Sequence, residues 1–215
     1  MMSLIDGRID CDVTEQIETG DEYYEALNKL ECPSMLMGRV TMEMHYALPE
    51  PYIATNNESK GEESCFISTK SKAYMIAIDT YGKLKWQNNQ ADDMPLLVIT
   101  SEECPKEYLN TLTEQGISWI ASGKRGIDLP KAMEILYEKF EVQRLCVTGG
   151  GHINAAFLKE KLLDEISMMW CPGIEGLEGM VATFDGLSMD TPPTKLHLKS
   201  VEKMGETIWA RYGYE

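Results

Sequence analysis

The chain has 215 residues, 43 % of them hydrophobic and 26 % charged, which fits one generous domain with room for a sizeable core. A formal net charge of −15 repels nucleic-acid phosphates and argues against that class of partner, yet local N–H donors and a few cations can still hold an anionic cofactor. No apolar run approaches the ~20 residues of a membrane helix, and the charges of Asp6, Arg8 and Asp10 break up the N-terminus as a signal segment, so a cytoplasmic setting away from membranes is the default expectation.

Strand and helix patterns alternate along most of the chain. Met2–Ile9 reads as a strand that runs into a turn at Asp6-Gly7. Tyr23, Tyr24, Leu27 and Leu30 recur at helical spacing over residues 20–31, Pro33 stops that helix, and Ser34–Gly38 follows as a short apolar strand. A brief helix is expected over Thr41–Tyr46, with Thr41 near its start. Residues 49–64 are polar, with Pro, Asn and Gly, and read as a long surface loop. Strands are expected at Cys65–Ser68, Ala73–Ile78 and Leu96–Ile99. Pro105–Gln115 is a helix with Tyr108, Leu109 and Leu112 on one face; Gly116 ends it and Ile117–Ile120 returns as a strand.

Asp128 caps the next helix, with Pro130 in its first turn and Leu129, Ala132, Met133, Leu136 and Phe140 as its apolar stripe. A strand at Leu145–Val147 leads into three consecutive glycines and a helix from about residue 154 to 163. Residues 164–171, 195–203 and 206–214 read as strands, the last two joined as a hairpin at Gly205-Glu206. The pattern predicts a single α/β domain over residues 1–215, a three-layer sandwich whose central sheet is mostly parallel with an antiparallel C-terminal hairpin.

The run Gly149-Gly150-Gly151 carries the chemistry. Glycine permits positive φ, expected here at Gly150, and lets a ligand approach without meeting a Cβ. A glycine loop feeding a helix start also offers free N–H groups and a positive dipole end to phosphate. A plain tight turn explains the same residues, and the run is neither G-x-G-x-x-G nor followed by G-K-[S/T]. Arg39, Lys70, Lys124 and Arg125 are the cations placed to assist, unless they belong only to a solvated surface. The six cysteines stand singly and the histidines are only His45, His152 and His197, so neither disulfides nor a metal site is expected.

Four motifs then fall in order along the chain. Asp6-Gly7-Arg8-Ile9 resembles the D-G-[K/R]-I turn of riboflavin-biosynthesis reductases, and Leu36–Glu43 (LMGRVTME) resembles the M-G-R-x-T-x-E segment of dihydrofolate reductases and their relatives. Ile78–Leu84 (IDTYGKL) is similar to the family's V-x-D-S-x-G-x-L, and VTGGGHINAAFLKEKLLDEI to its V-E-G-G-x-x-L-N segment. The chain thus resembles the C-terminal reductase domain of bifunctional riboflavin deaminase–reductases, without the H-x-E…P-C-x-x-C signature of a deaminase.

The resemblance implies a dihydrofolate-reductase-like fold, NADPH as cofactor, a small heterocyclic substrate and a homodimer. By position, Thr41, Thr80 and the segment Gly149, Gly150, Gly151, His152, Ile153, Asn154 would contact the cofactor, with Asn154 at or near the helix cap. Thr100 and Ser101 would hold the ribose 2′-phosphate, or else form a simple strand-end turn. Arg8 would orient the sugar beside the reacting carbon; Asp6 either titrates in the chemistry or shapes its turn.

The departures fall on the substrate side. Thr148 stands where the family has glutamate, and His45 where it has aspartate; His45 is either a replacement acid–base group or a helix-surface residue. The resulting expectation is an NADPH-dependent reductase of a pyrimidine- or pterin-like substrate. A non-catalytic nucleotide- or flavin-binding protein that keeps the fold is the alternative, and a purely structural domain the third.

Overall fold

A computed structural model of the chain describes residues 1–9, 13, 16, 17 and 21–214. They form two compact units, one of Cys32–Thr148 and one that joins both chain ends, Met1–Glu31 with Gly149–Glu215.

The central unit is built on β2 (Ser34–Gly38), β4 (Met75–Ile78), β6 (Met94–Thr100) and β7 (Ser118–Ala121), which pair parallel in the order β7-β6-β4-β2. β3 (Ser64–Phe66) lies antiparallel outside β7, β8 (Leu145–Gly149) lies beside β2, and the two-residue β5 (Gln90–Ala91) pairs with the start of β6. Alternate residues of these strands face opposite layers. Met75, Ala77, Leu96 and Val98 share a core with Tyr108, Leu109 and Leu112 of α3 (Lys106–Glu114). On the other parity, Tyr74 meets Phe140 of α4 (Leu129–Phe140) edge to face, ring centroids 5.7 Å apart. Each such aliphatic or aromatic side chain contributes roughly 1.5–3 kcal/mol on full burial. Two-sided burial explains the unbroken apolar runs MIAI and PLLVI, where a half-exposed strand would alternate.

The expected helix over 129–140 is present. Asp128 accepts the Lys131 N–H at 3.0 Å, and Pro130 occupies the first turn, where no N–H is needed. α2 (Arg39–His45) starts two residues before the expected Thr41, directly at the end of β2.

The terminal unit holds a four-stranded sheet in the order β1-β9-β11-β10: β1 (Met2–Leu4), β9 (Glu165–Cys171), β10 (Leu196–Met204) and β11 (Thr207–Tyr214). β1 runs parallel to β9, and the closing β10–β11 hairpin is antiparallel with its turn at Gly205-Glu206, as expected, but it belongs to this four-stranded sheet and not to the mostly parallel one, because β11 pairs with β9. β1 stops at Leu4 because the chain folds back at once: the Gly7 N–H donates to the Leu4 oxygen and the Leu4 N–H to the Arg8 oxygen, both at 2.9 Å. Ala26 of α1 (Glu22–Leu30) packs with Met169, Met204 and Trp209. α5 (Gly151–Lys159) starts three residues before the expected position, with Gly150 as its N-cap.

Candidate functional site

In the central unit the parallel strands deliver their carboxyl ends to one edge, and the strand order reverses at β2, whose other neighbour is β8. Open α/β sheets bind ligands outside that edge, at the reversal. Gly38–Thr41, Asp79–Thr80, Thr100–Ser101, Ser122–Gly123 and Thr148 lie there. Thr41 is half-buried in the first turn of α2, while Arg39 pairs with Glu43 one turn on. His45, at the far end of α2, is exposed with its ring 6.2 Å from that of Tyr46, in keeping with a helix-surface residue.

The turn after β4 is fixed from below. Asp79 is fully buried and its Oδ2 accepts the Lys83 and Leu84 N–H groups at 2.7 and 2.8 Å and the Tyr108 hydroxyl at 3.0 Å. Burial, ahead of the neighbouring Asp79 charge, pushes the Tyr108 phenol well above its ordinary range, so it stays a neutral donor. The turn carries the half-buried Thr80.

Thr100 and Ser101 spend their hydroxyl protons on the fold. Their hydroxyls donate to the Thr80 carbonyl oxygen at 3.0 and 2.8 Å, and both residues are 0 % exposed. This is the bonding of a strand-end turn, the second of the two readings of the pair, in which two hydroxyls inside the sheet edge find an acceptor. The cations of this edge are one turn further on. Lys124 and Arg125 are exposed, in no ion pair among the described residues, and sit in a loop that Glu102 holds by two bonds to Gly123. Thr148 donates its hydroxyl to the Leu36 oxygen at 3.2 Å, which occupies the group standing in place of the family glutamate.

In the terminal unit the three glycines prove to have three different reasons. Gly149 has φ +105, and a Cβ there would also press on Met1. At Gly151 a Cβ would run into the Ala182 carbonyl oxygen. Gly150 has φ −75, so the positive φ expected there belongs to Gly149, and the nearest atom to a Cβ at 150 is Ile9 Cδ1 at 3.8 Å. The Gly149–Gly150 peptide is cis. Among the described residues, neither the φ of residue 150 nor packing calls for glycine at that position.

α5 begins there without any side-chain cap or acidic residue in its first turn. The Ile153 and Asn154 N–H groups already donate to the Gly150 oxygen at 3.0 Å, which leaves those of Gly151 and His152 at the helix start. Asn154, expected at or near the helix cap, lies near it, while the N-cap itself is Gly150. It is buried in the first turn and its amide donates to the Thr183 oxygen at 2.7 Å. His152 is exposed beside Gly186, and Ile153 is half-buried.

The segment 180–185, which the sequence pattern left unassigned, straps this region together. The Thr183 N–H and hydroxyl both donate to the Gly7 oxygen, at 3.1 and 3.2 Å, and the Asp185 N–H to the Gly151 oxygen at 3.2 Å. Arg8 Nη1 donates to the Met180 oxygen at 2.6 Å, leaving the other donors of its guanidinium for a ligand. Asp6 accepts the Gly176 N–H at 2.8 Å, and that bond holds its carboxyl below the usual carboxylate range. It therefore shapes the turn, the second of its two readings.

Within the terminal unit, an uncapped helix start with free N–H groups, beside a glycine whose Cβ position meets only an ordinary contact with Ile9 among the described residues, fits a phosphate-bearing ligand. Among the described residues no group of three His, Cys, Asp or Glu side chains could hold a metal ion, and no helix is long and apolar enough to cross a membrane.

The chain is 31 % identical over 107 residues to the 2,5-diamino-6-ribosylamino-4(3H)-pyrimidinone 5′-phosphate reductase of Aquifex aeolicus, a stretch covering 50 % of this chain and 47 % of the relative. The enzyme of the same name from Methanothermobacter thermautotrophicus is 28 % identical over 123 residues, 56 % of each chain. The matches thus span about half the length of these curated relatives. Among solved structures, a pyrimidine reductase-like protein of Corynebacterium diphtheriae superposes with a TM-score of 0.71 at 15 % identity, covering 99 % of this chain and 88 % of that one. RibD of Acinetobacter baumannii gives 0.65 at 16 % identity, covering 99 % of this chain and 56 % of that one. The expected dihydrofolate-reductase-like α/β fold is therefore the one observed. The sequence profile of the RibD C-terminal domain matches residues 1–210, and the chain belongs to that family.

Proposed function

We propose that this chain, as one reductase domain, reduces the open-chain imine of a phosphoribosylamino-pyrimidine with NADPH, C1′ of the imine taking a hydride and its nitrogen a proton to leave the ribitylamino product. The relatives named as 2,5-diamino-6-ribosylamino-4(3H)-pyrimidinone 5′-phosphate reductases support the substrate class. The single observation that carries the reading is Gly150, a glycine required neither by its own φ nor, among the described residues, by packing, at the start of an uncapped helix.

When bound, the nicotinamide supplies the hydride from its C4. By the family resemblance, the Gly151 and His152 N–H groups would hold the diphosphate, and Thr41 and Thr80 would be further contacts. Lys124 and Arg125, exposed at the strand edge that carries Thr100 and Ser101, are the cations that would meet a 2′-phosphate, and their exposure supports NADPH over NADH. The free donors of Arg8 orient the sugar; arginine keeps its proton at every working pH and so cannot deliver one. Asp6, held ionised by the Gly176 N–H, is no proton source at neutral pH either. A homodimer in the cytoplasm belongs to the same reading, on the strength of the family resemblance.

The test is a fluorescence titration of the purified protein with NADPH and NADH, repeated on a Lys124→Ala, Arg125→Ala double variant. Micromolar NADPH binding that the double variant weakens to the level of NADH is the expected result. Failure to bind either nucleotide contradicts the proposal.

The engagement of Thr148 with the Leu36 oxygen favours one second reading, a nucleotide- or flavin-binding protein that keeps the fold without turnover. It predicts cofactor binding with no reduction of any ribosylamino-pyrimidine.

A further inference from the structure

Glu175 lies in the loop that follows β9, and it is the only carboxylate among the described residues with both oxygens buried and neither bonded. Leaving such a group unpaired costs free energy, and a native structure needs a reason for it. The loop itself is well tied: the Ile5 N–H donates to the Gly173 oxygen at 2.9 Å and the Gly176 N–H to Asp6 at 2.8 Å. Glu175 is therefore fixed between two anchors, on Ile5 and on Asp6 at the start of the Asp6–Arg8 turn. That turn is bonded in sequence to Thr183, and Thr183 to Asn154 of α5, so the carboxylate belongs to the same connected framework as the glycine turn.

A carboxylate with two free oxygens matches a partner that presents two parallel N–H donors. A 2-amino-4(3H)-pyrimidinone ring offers such a pair, the N3–H and one hydrogen of the 2-amino group. A uracil ring offers N3–H flanked by carbonyl oxygens, one of which would face the second carboxylate oxygen. Thr148 cannot do this work, since a single hydroxyl already engaged by Leu36 replaces the family glutamate.

We infer that Glu175 recognises the pyrimidine ring and selects the 2-amino-4(3H)-pyrimidinone over the uracil form of the substrate. The inference rests on the reductase reading and narrows its substrate. Both oxygens are closed to solvent, so the loop shifts to admit the ring. Glutamine at this position is nearly isosteric but pairs one donor with one acceptor, which suits N3–H and C2=O of uracil.

The experiment compares equilibrium binding of 2,5,6-triamino-4(3H)-pyrimidinone and 5,6-diaminouracil to the wild-type chain and to Glu175→Gln and Glu175→Asp, with turnover of the corresponding ribosylamino phosphates measured alongside. The wild type should favour the triamino base by about 100-fold, the worth of a charged hydrogen-bond pair. Glu175→Gln should erase or invert that preference at a melting temperature no lower than that of the wild type, and Glu175→Asp should retain part of it. Equal binding of the two bases by the wild type, or an unchanged preference in Glu175→Gln, overturns the inference even if both substrates are turned over. Preference for the triamino base without turnover of either substrate upholds Glu175 and overturns the reductase reading instead.

Discussion

The Asn154 side-chain amide donates to the Thr183 carbonyl oxygen at 2.7 Å, with both residues buried. One helix residue thereby holds the strap that also bonds Gly7. Asn154→Ala leaves that carbonyl without its donor and is expected to cost about 1–3 kcal/mol. Urea denaturation measures the loss; a midpoint within error of wild type would show that the strap is held some other way.

Gly150 and Gly151 should respond oppositely to the same change. Gly151→Ala drives a methyl into the Ala182 oxygen and lowers the melting temperature. Gly150→Ala meets nothing closer than Ile9 at 3.8 Å, so the fold tolerates it while nicotinamide affinity falls at least tenfold. Thermal unfolding and cofactor titration of the two variants separate packing from binding. Equal affinity in Gly150→Ala and wild type removes the glycine turn from the site.

Glu107 organises the long polar loop before β3. Its carboxylate accepts the Thr55 and Asn56 N–H groups and the Thr55 hydroxyl. The Asn56 N–H first, then Thr55, lower its pKa from the ordinary value. A group whose folded pKa is lowered stabilises above its unfolded pKa, about 4.3 for glutamate, and loses that contribution as pH falls through the folded value. The stability gap between wild type and Glu107→Gln should therefore stay constant at neutral pH and close in acid. A gap that is the same at pH 7 and at pH 2 contradicts the assignment.

Much of this architecture is legible in the residues. Unbroken apolar runs gave the buried parallel strands, and Asp128 with Pro130 marked a helix start to the residue. Gly151 hid the first turn of α5, because glycine is a poor helix former and reads as loop until its packing against Ala182 is known. The 180–185 strap has no period at all; its bonds run to Gly7 and Gly151, up to 176 residues away, so no local window contains the signal. The orientation of Thr100 and Ser101 was equally out of reach, since a hydroxyl at a strand end serves a carbonyl or a phosphate with the same residue. Glu175 shows no motif, and only its burial without a partner marks it.

Hydride transfer to a ribosylamino-pyrimidine leaves an isotopic mark on the product. NADPH carrying deuterium at both C4 positions is incubated with the protein and 2,5-diamino-6-ribosylamino-4(3H)-pyrimidinone 5′-phosphate, and the product is weighed by mass spectrometry. A single deuterium on C1′ of a ribitylamino product is the result predicted here. Cofactor binding with no labelled product would contradict the account and leave a nucleotide-binding protein in place of a reductase.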